Sequence, residues 1–193
     1  MTTAIIGVGN IGGALARHLV HGGEPVVLAA KDESKAAALA SDLGSLASAA
    51  TVNDAVKGAD VVVLAVWFDA MKQVLDEYAD LLDGKVVADP SNPIGFAADG
   101  IPFRTLPDDQ SSQGSLVAGM LPAGAHYVKA FGNLDAGSFA SNANRQPRHA
   151  AVLYATDDDR AAMAIERLIT VSGFDPVKVG GMENVSLIEI PGG

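Results

Sequence analysis

The segment AIIGVGNIGG, residues 4–13, constrains the fold more than any other part of this chain. A short apolar run, Ala4 to Ile6, leads into Gly7, Gly9 and Gly12 in the spacing G-x-G-x-x-G. Ile11, Leu15 and Leu19 then recur at helical intervals. Strand, tight turn and helix in that order make the first βα unit of a dinucleotide-binding fold, and each glycine has a mechanical reason to be there. Gly7 allows the turn, Gly9 lets backbone amides approach a pyrophosphate, and Gly12 lets the helix pack closely on the strand. The pyrophosphate is expected on the helix N-terminus at Asn10 and Ile11, where free amides and the helix dipole favour an anion. In a chain with 21 glycines the same spacing can also arise as an unliganded turn, so the weight rests on the flanking strand and helix.

The alternation continues. Val26 to Ala30 reads as a second buried strand after Pro25, and DESKAAALASDLG as a helix stopped at Gly44. SLASAAT is a weak third strand and DAVKGAD a short helix, followed by the β-branched run VVVLAVW. A helix runs from Asp69 to Gly84, and KVVADP is a fifth strand stopped by Pro90. Beyond it, Ser91 to Leu106 reads as a long, mostly irregular loop and SSQGSLVAGML as a helix ending at Pro122. HYVKAFG is a sixth strand, SFASNANRQPRH a polar connector, AAVLYAT a strand, and DDDRAAMAIERLITVSG a helix. The tail starts with a short strand at DPVK, and the residues after it have no recognisable period. The expectation is an α/β fold: a Rossmann-type doubly wound, mostly parallel sheet with a small C-terminal extension. Residues 1–193 are read as one dinucleotide-binding domain whose C-terminal part forms the substrate crevice.

Composition narrows the function. With 49% hydrophobic residues, 193 residues suffice for one real core. No apolar run reaches the ~18 residues of a membrane span, and the N-terminus lacks the pattern of a signal peptide. The absence of cysteine removes disulfides and thiolate chemistry, and a cytoplasmic setting is expected. A net charge of -10 argues against nucleic acid or an anionic membrane surface as partner. An anionic cofactor can still be held by local amides and one or two cations.

One such cation is Lys31, the first polar residue after the second strand. An acid there would bond the ribose hydroxyls and select NAD, whereas Lys31 would attract the 2′-phosphate of NADP. Asp32, followed by ESK, reads as the cap of the next helix. The plainer alternative is that Lys31 is a solvated surface residue. Ala65, Val66 and Trp67, after the fourth strand, Ser91, Asn92 and Pro93, after the fifth, and the segment KAFGNLD, residues 129–135, after the sixth, fall at the carboxyl ends of strands, where doubly wound sheets bind ligands. Trp67 and Phe68 either flank a planar ring or pack in the core, and Ser91 and Asn92 either bond a carboxamide or simply turn the chain before Pro93. His126 is a weak candidate for a catalytic acid or base and His149 a weaker one, since neither has a recognisable partner in sequence. There is no metal-ligand cluster, so no metal is expected. A nicotinamide protein without an evident acid or base suits hydride transfer to a second redox ring, where the protein mainly aligns two ring systems.

The segments AIIGVGNIGGALARHLVHGG, VVLAAKDESKAAALA, GADVVVLAV, VVADPSNP, HYVKAFGNL and GFDPVKVGGMENVSLIE together resemble, in order, the NADPH-dependent reductases of the deazaflavin coenzyme F420. The resemblance spans most of the chain. It extends to the oxidoreductase domain of membrane ferric reductases, which pass hydride from NADPH to a flavin. It implies NADP as cofactor, F420 or a flavin as the second ring, a homodimer, Lys31 as the basic residue for the 2′-phosphate, and Ser91, Asn92 and Pro93 as the loop near the nicotinamide. The chain departs from the pattern at Ala30, where the family has serine, at Trp67, where it commonly has proline, and at Gly132, where it has asparagine. The last two fall at the expected ring-stacking crevice and leave the hydride acceptor open. Two other readings stay beside the reductase: an NADP-binding sensor or interaction protein without turnover, and a reductase of a small carbonyl or imine with His126 as proton donor.

Overall fold

The computed structural model describes residues 1–106 and 112–189. Within them the expected alternation is present: β1 (Thr3–Ile6), α1 (Asn10–His21), β2 (Val26–Ala29), α2 (Glu33–Leu43), β3 (Ala47–Ala49), α3 (Val52–Gly58), β4 (Val61–Leu64), α4 (Phe68–Leu82) and β5 (Val86–Asp89). There follow β6 (Ile94–Phe96), β7 (Pro102–Arg104), α5 (Gln113–Met120), β8 (His126–Ala130), α6 (Ala136–Asn142), β9 (Ala151–Ala155), α7 (Asp159–Val171), β10 (Asp175–Lys178) and a 3-10 helix, Met182–Ile188.

Eight strands form one sheet in the order β10-β9-β8-β5-β4-β1-β2-β3. From β3 to β8 all neighbours are parallel; β9 runs antiparallel to β8, and β10 parallel to β9. The strand order reverses between β1 and β4, which is where a doubly wound sheet opens its ligand crevice. β2 and β4 are apolar throughout, and β1 and β5 apart from Thr3 and Asp89 at their ends, because both of their faces are covered. Successive side chains go to opposite faces: Ile5, Val61 and Val63 join one core with α1, α2, α6 and α7, while Ala4, Ile6, Val62 and Leu64 join the other with α3, α4 and α5.

Three stretches differ from the sequence reading. The expected irregular loop holds the antiparallel hairpin β6–β7, with Ile94 opposite Arg104. The expected polar connector, residues 138–149, holds most of α6, which is started ahead of it by Asp135, whose Oδ1 accepts from the amides of Gly137 and Ser138 at 2.9 and 3.0 Å. Its serines and asparagines conceal a single apolar anchor: Phe139 is fully buried and stacks on Phe174 with ring centroids 5.0 Å apart. The untyped tail winds into the 3-10 helix, which buries Val185 and Ile188. Ser111, in the helix expected before Pro122, and residues 190–193 lie outside the described residues.

His18 of α1 sits edge-on to Phe139 and Phe174, and its Nε2–H donates to the Phe139 carbonyl at 3.1 Å. Burial lowers its pKa from the usual 6.5, outweighing that hydrogen bond. A depressed histidine contributes stability that is complete above 6.5 and is lost as pH falls through the lower folded value. Thermal unfolding is therefore expected to move to lower temperature on acidification below pH 6.5, and less so in His18→Gln. An unchanged pH profile in that variant would count against the assignment.

Candidate active site

The ends of β4 and β5 and the start of α1 surround a cavity of about 510 Å³. Its formation begins at Gly12, whose absent side chain is what lets α1 lie on β1: a Cβ there would stand 2.0 Å from the Gly7 carbonyl oxygen and 2.9 Å from the Ala65 Cβ. Gly7 itself turns the chain at φ +100, a conformation that disfavours a side chain. α1 starts at Gly9 with no side chain accepting from its first amides. Of the seven α-helices described, only α1 and α4 lack a side-chain cap, and the N-termini of both face the cavity; α2, α3, α5, α6 and α7 are capped by Asp32, Thr51, Ser112, Asp135 and Asp158. Unsatisfied amides at a helix start attract an anion.

Among the residues singled out from the sequence, Gly9, Asn10, Ile11, Ala65, Val66, Trp67, Ser91 and Asn92 all line this cavity. Gly7 and Gly12 lie buried beneath it, and Pro93 is buried just beyond the lining residues Ser91 and Asn92. Lys31 is outside the lining, exposed just past β2, with no ion pair or hydrogen bond to another described residue. Asp32 caps α2 through the Ser34 amide at 3.2 Å, as its position in the sequence suggested. Trp67 is 64% exposed, so it is not a core residue, and its ring stands edge-on to Phe96 of the hairpin, centroids 6.5 Å apart.

The histidines lie apart from the cavity. His126 begins β8 opposite Val86, the first residue of β5, whereas the cavity is at the carboxyl ends of the strands. Its Nδ1 is 2.6 Å from Asp158. Burial pushes the Asp158 carboxyl up, but hydrogen bonds from His126 and from the Ala161 and Arg160 amides outweigh this and hold it below its usual range. His149 pairs with Asp175 at 3.3 Å beside the starts of β9 and β10. Both partners are distant in sequence, which is why neither was visible there.

Sequence reasoning missed the hairpin wall of Ile94 and Phe96, Ala136, and a buried polar cluster behind Ser91, whereas Leu134 and Asp135 of the segment KAFGNLD, expected at the crevice after the sixth strand, do line the cavity. In that cluster Asp89, at the end of β5, accepts from the Ser91 amide at 2.8 Å, the Tyr127 hydroxyl at 2.9 Å and Lys129 Nζ at 3.0 Å. Burial, and then the charge of Asp89, raise the Tyr127 pKa well above its usual range, so its hydroxyl remains a donor. Lys129 also donates to the Ser91 carbonyl and lies 3.5 Å from Glu189. Glu189 accepts from the amides of Gln113 and Gly114 at 3.1 and 2.7 Å, and from the Ser112 hydroxyl at 3.2 Å. The Asn92 side chain donates from Nδ2 to the Gly132 carbonyl at 2.9 Å, beyond the buried Phe131, which turns the end of β8 at φ 65. The loop that carries Ser91 and Asn92 is therefore held from β5, β8, α5 and the C-terminal segment at once.

A lysine within an apolar strand was the one available signal of this cluster. Asp89 and Lys129 are register partners on adjacent parallel strands, which local sequence does not reveal.

Residues 2–93 match the family described as NADP oxidoreductase coenzyme F420-dependent. The F420-dependent NADP reductase of Methanothermobacter thermautotrophicus is 30% identical over 199 residues, covering 98% of this chain and 85% of that protein. The metalloreductase STEAP3 of Rattus norvegicus is 27% identical over 96% of this chain, which spans only 35% of that protein. Among solved structures, that of the hypothetical protein SMa0349 from Sinorhizobium meliloti superposes with a TM-score of 0.86 at 28% identity, covering 100% of this chain and 92% of the other. Near-complete coverage at that identity, on a sheet with its switch point beside the glycine turn, shows that the chain belongs to the family of F420-dependent NADP reductases.

Proposed function

We propose that this protein transfers a hydride between NADP(H) and a ring acceptor of the deazaflavin F420 or flavin type. The observation that carries this reading is the make-up of the cavity. Aromatic and aliphatic side chains meet an uncapped helix start, and the only titratable lining residue among the described residues, Asp135, is committed to capping α6. Hydrogen bonds from Ser138 and Gly137 hold the Asp135 carboxyl below its usual range, so it remains an anion with no proton to give. Reduction of a carbonyl or imine calls for a proton donor within reach, and His126, at the amino-terminal end of β8 and so across the sheet from the cavity, does not supply one. Hydride exchange between two rings requires mainly alignment and exclusion of water.

The residues suit the cofactor. The α1 amides at Asn10 and Ile11 would hold the pyrophosphate, and Lys31, exposed and unpaired among the described residues, would meet the 2′-phosphate. NADPH, when bound, supplies the hydride. Trp67 and Phe96 bound the space where two rings would stack, and Ser91 and Asn92 would orient the nicotinamide. On this reading Gly7, Gly9, Asn10, Ile11, Gly12, Lys31, Ala65, Val66, Trp67, Ser91, Asn92 and Pro93 make up the dinucleotide site in one domain. The same reading includes a homodimer, supported by the family resemblance, and a cytoplasmic setting, with which the cysteine-free composition is compatible.

The test is to add NADPH, or NADH in parallel, to the protein with oxidised F420 and to follow the visible absorbance. Rapid bleaching by NADPH is expected, and slower bleaching by NADH. No bleaching with F420 or any flavin, although NADPH binds, would favour a sensing role instead. Lys31→Ala should weaken NADPH by about 1 to 2 kcal/mol, a value reduced for the exposure of the lysine, and leave NADH nearly unchanged. Equal weakening of both would refute the phosphate contact.

A further inference from the structure

The buried cluster behind the crevice has a chemical consequence at Ser91. Gln113, fully buried, donates from Nε2 to the Ser91 Oγ at 2.6 Å, and its own Oε1 has no hydrogen-bond partner among the described residues. The orientation of the amide follows from cost: an orphaned buried N–H is rarer than an under-satisfied carbonyl, so the nitrogen takes the hydroxyl and the oxygen is left over. The backbone that carries Gln113 to this contact is held in place. Glu189 binds its backbone amide and the next one, and Lys129 lies between Glu189 and Asp89 while also binding the Ser91 carbonyl.

A serine hydroxyl has one proton and two acceptor lone pairs. One lone pair of Ser91 accepts from Gln113, and no described residue accepts the Ser91 proton. Ser91 lines the cavity, so its free proton is directed at whatever fills it. We propose that Gln113 is a positioning residue that makes Ser91 a hydrogen-bond donor to the carboxamide oxygen of the nicotinamide. This selects ligands that present a strong oxygen acceptor there and fixes the rotation of the ring. The inference rests on the reading of the crevice as the nicotinamide seat. It also gives the C-terminal segment a role, because Glu189 holds the N-terminus of α5 from which Gln113 reaches Ser91.

The test is isothermal titration of NADP⁺, thionicotinamide-NADP⁺ and 2′,5′-ADP into the wild type, Ser91→Ala, Ser91→Thr and Gln113→Met. Thiocarbonyl sulfur is a weak acceptor, so the wild type should prefer NADP⁺ by about three- to tenfold. That preference should fall close to one in Ser91→Ala and in Gln113→Met and return in Ser91→Thr. Affinity for 2′,5′-ADP, which has no nicotinamide, should be the same in all four. Retention of the wild-type preference in Gln113→Met would overturn the proposal while leaving the nicotinamide seat in place. Wild-type protein that binds NADP⁺ no tighter than 2′,5′-ADP would overturn both. Gln113→Asn, one methylene short of Ser91, is the second variant should the methionine protein fail to fold, and the same two results decide it.

Discussion

Replacing Lys129 by methionine is expected to lower the free energy of unfolding by about 3 to 5 kcal/mol, which is a large share of the stability of a domain this size. Lys129 is 1% exposed between Asp89 and Glu189, at 0% and 3%. Methionine fills nearly the same volume, so packing is retained and the loss is electrostatic. Two carboxylates remain buried with no cation beside them, and the Ser91 carbonyl loses its donor. Urea unfolding of the variant measures the effect, and a loss below about 1 kcal/mol would mean that water already screens the cluster. The combination of Lys129→Met with Asp89→Asn and Glu189→Gln should recover much of the loss, because no buried charge then remains unpaired.

Gly12→Ala is expected to destabilise the fold by about 3 kcal/mol and to abolish measurable NADPH binding. The added Cβ would stand 2.0 Å from the Gly7 carbonyl oxygen, a backbone atom that cannot swing aside, so α1 must lift off β1 and carry its N-terminal amides away from the cavity. Gly9→Ala separates the two effects. A Cβ at Gly9 has nothing within 4 Å, and its φ of -73 suits alanine, so thermal stability should be nearly unchanged. The methyl would occupy the space intended for the pyrophosphate, and NADPH affinity should still fall by about tenfold or more. Normal NADPH binding by Gly9→Ala would refute the placement of the pyrophosphate at this turn.

The part of the cavity proposed to hold the dinucleotide was legible because its physics is local. The glycine spacing, the apolar runs and the stop signals all concern residues within one turn or one strand of each other, and Asp32 could be assigned as a cap from its neighbours alone. Elements whose reason to exist lies elsewhere in the chain were not legible. α6 forms because Phe139 finds Phe174 and His18, and without them its residues read as a polar connector. The hairpin β6–β7 pairs two three-residue strands, too short to show a period. The histidines showed no partner because theirs are 32 and 26 residues away.

By itself, then, the sequence determined the doubly wound class, the succession of the first five strands along the chain and the glycine turn that opens α1 without a side-chain cap. It could do so because hydrophobic period and turn chemistry are properties of adjacent residues. Only the tertiary structure decided that His126 stands at the amino-terminal end of the strands, away from the cavity, and that Trp67 is exposed against Phe96. Only there, too, do Lys129, Glu189 and Gln113 converge behind Ser91. Those facts depend on strand register and on contacts up to 76 residues apart, which form once the sheet has brought its carboxyl ends together.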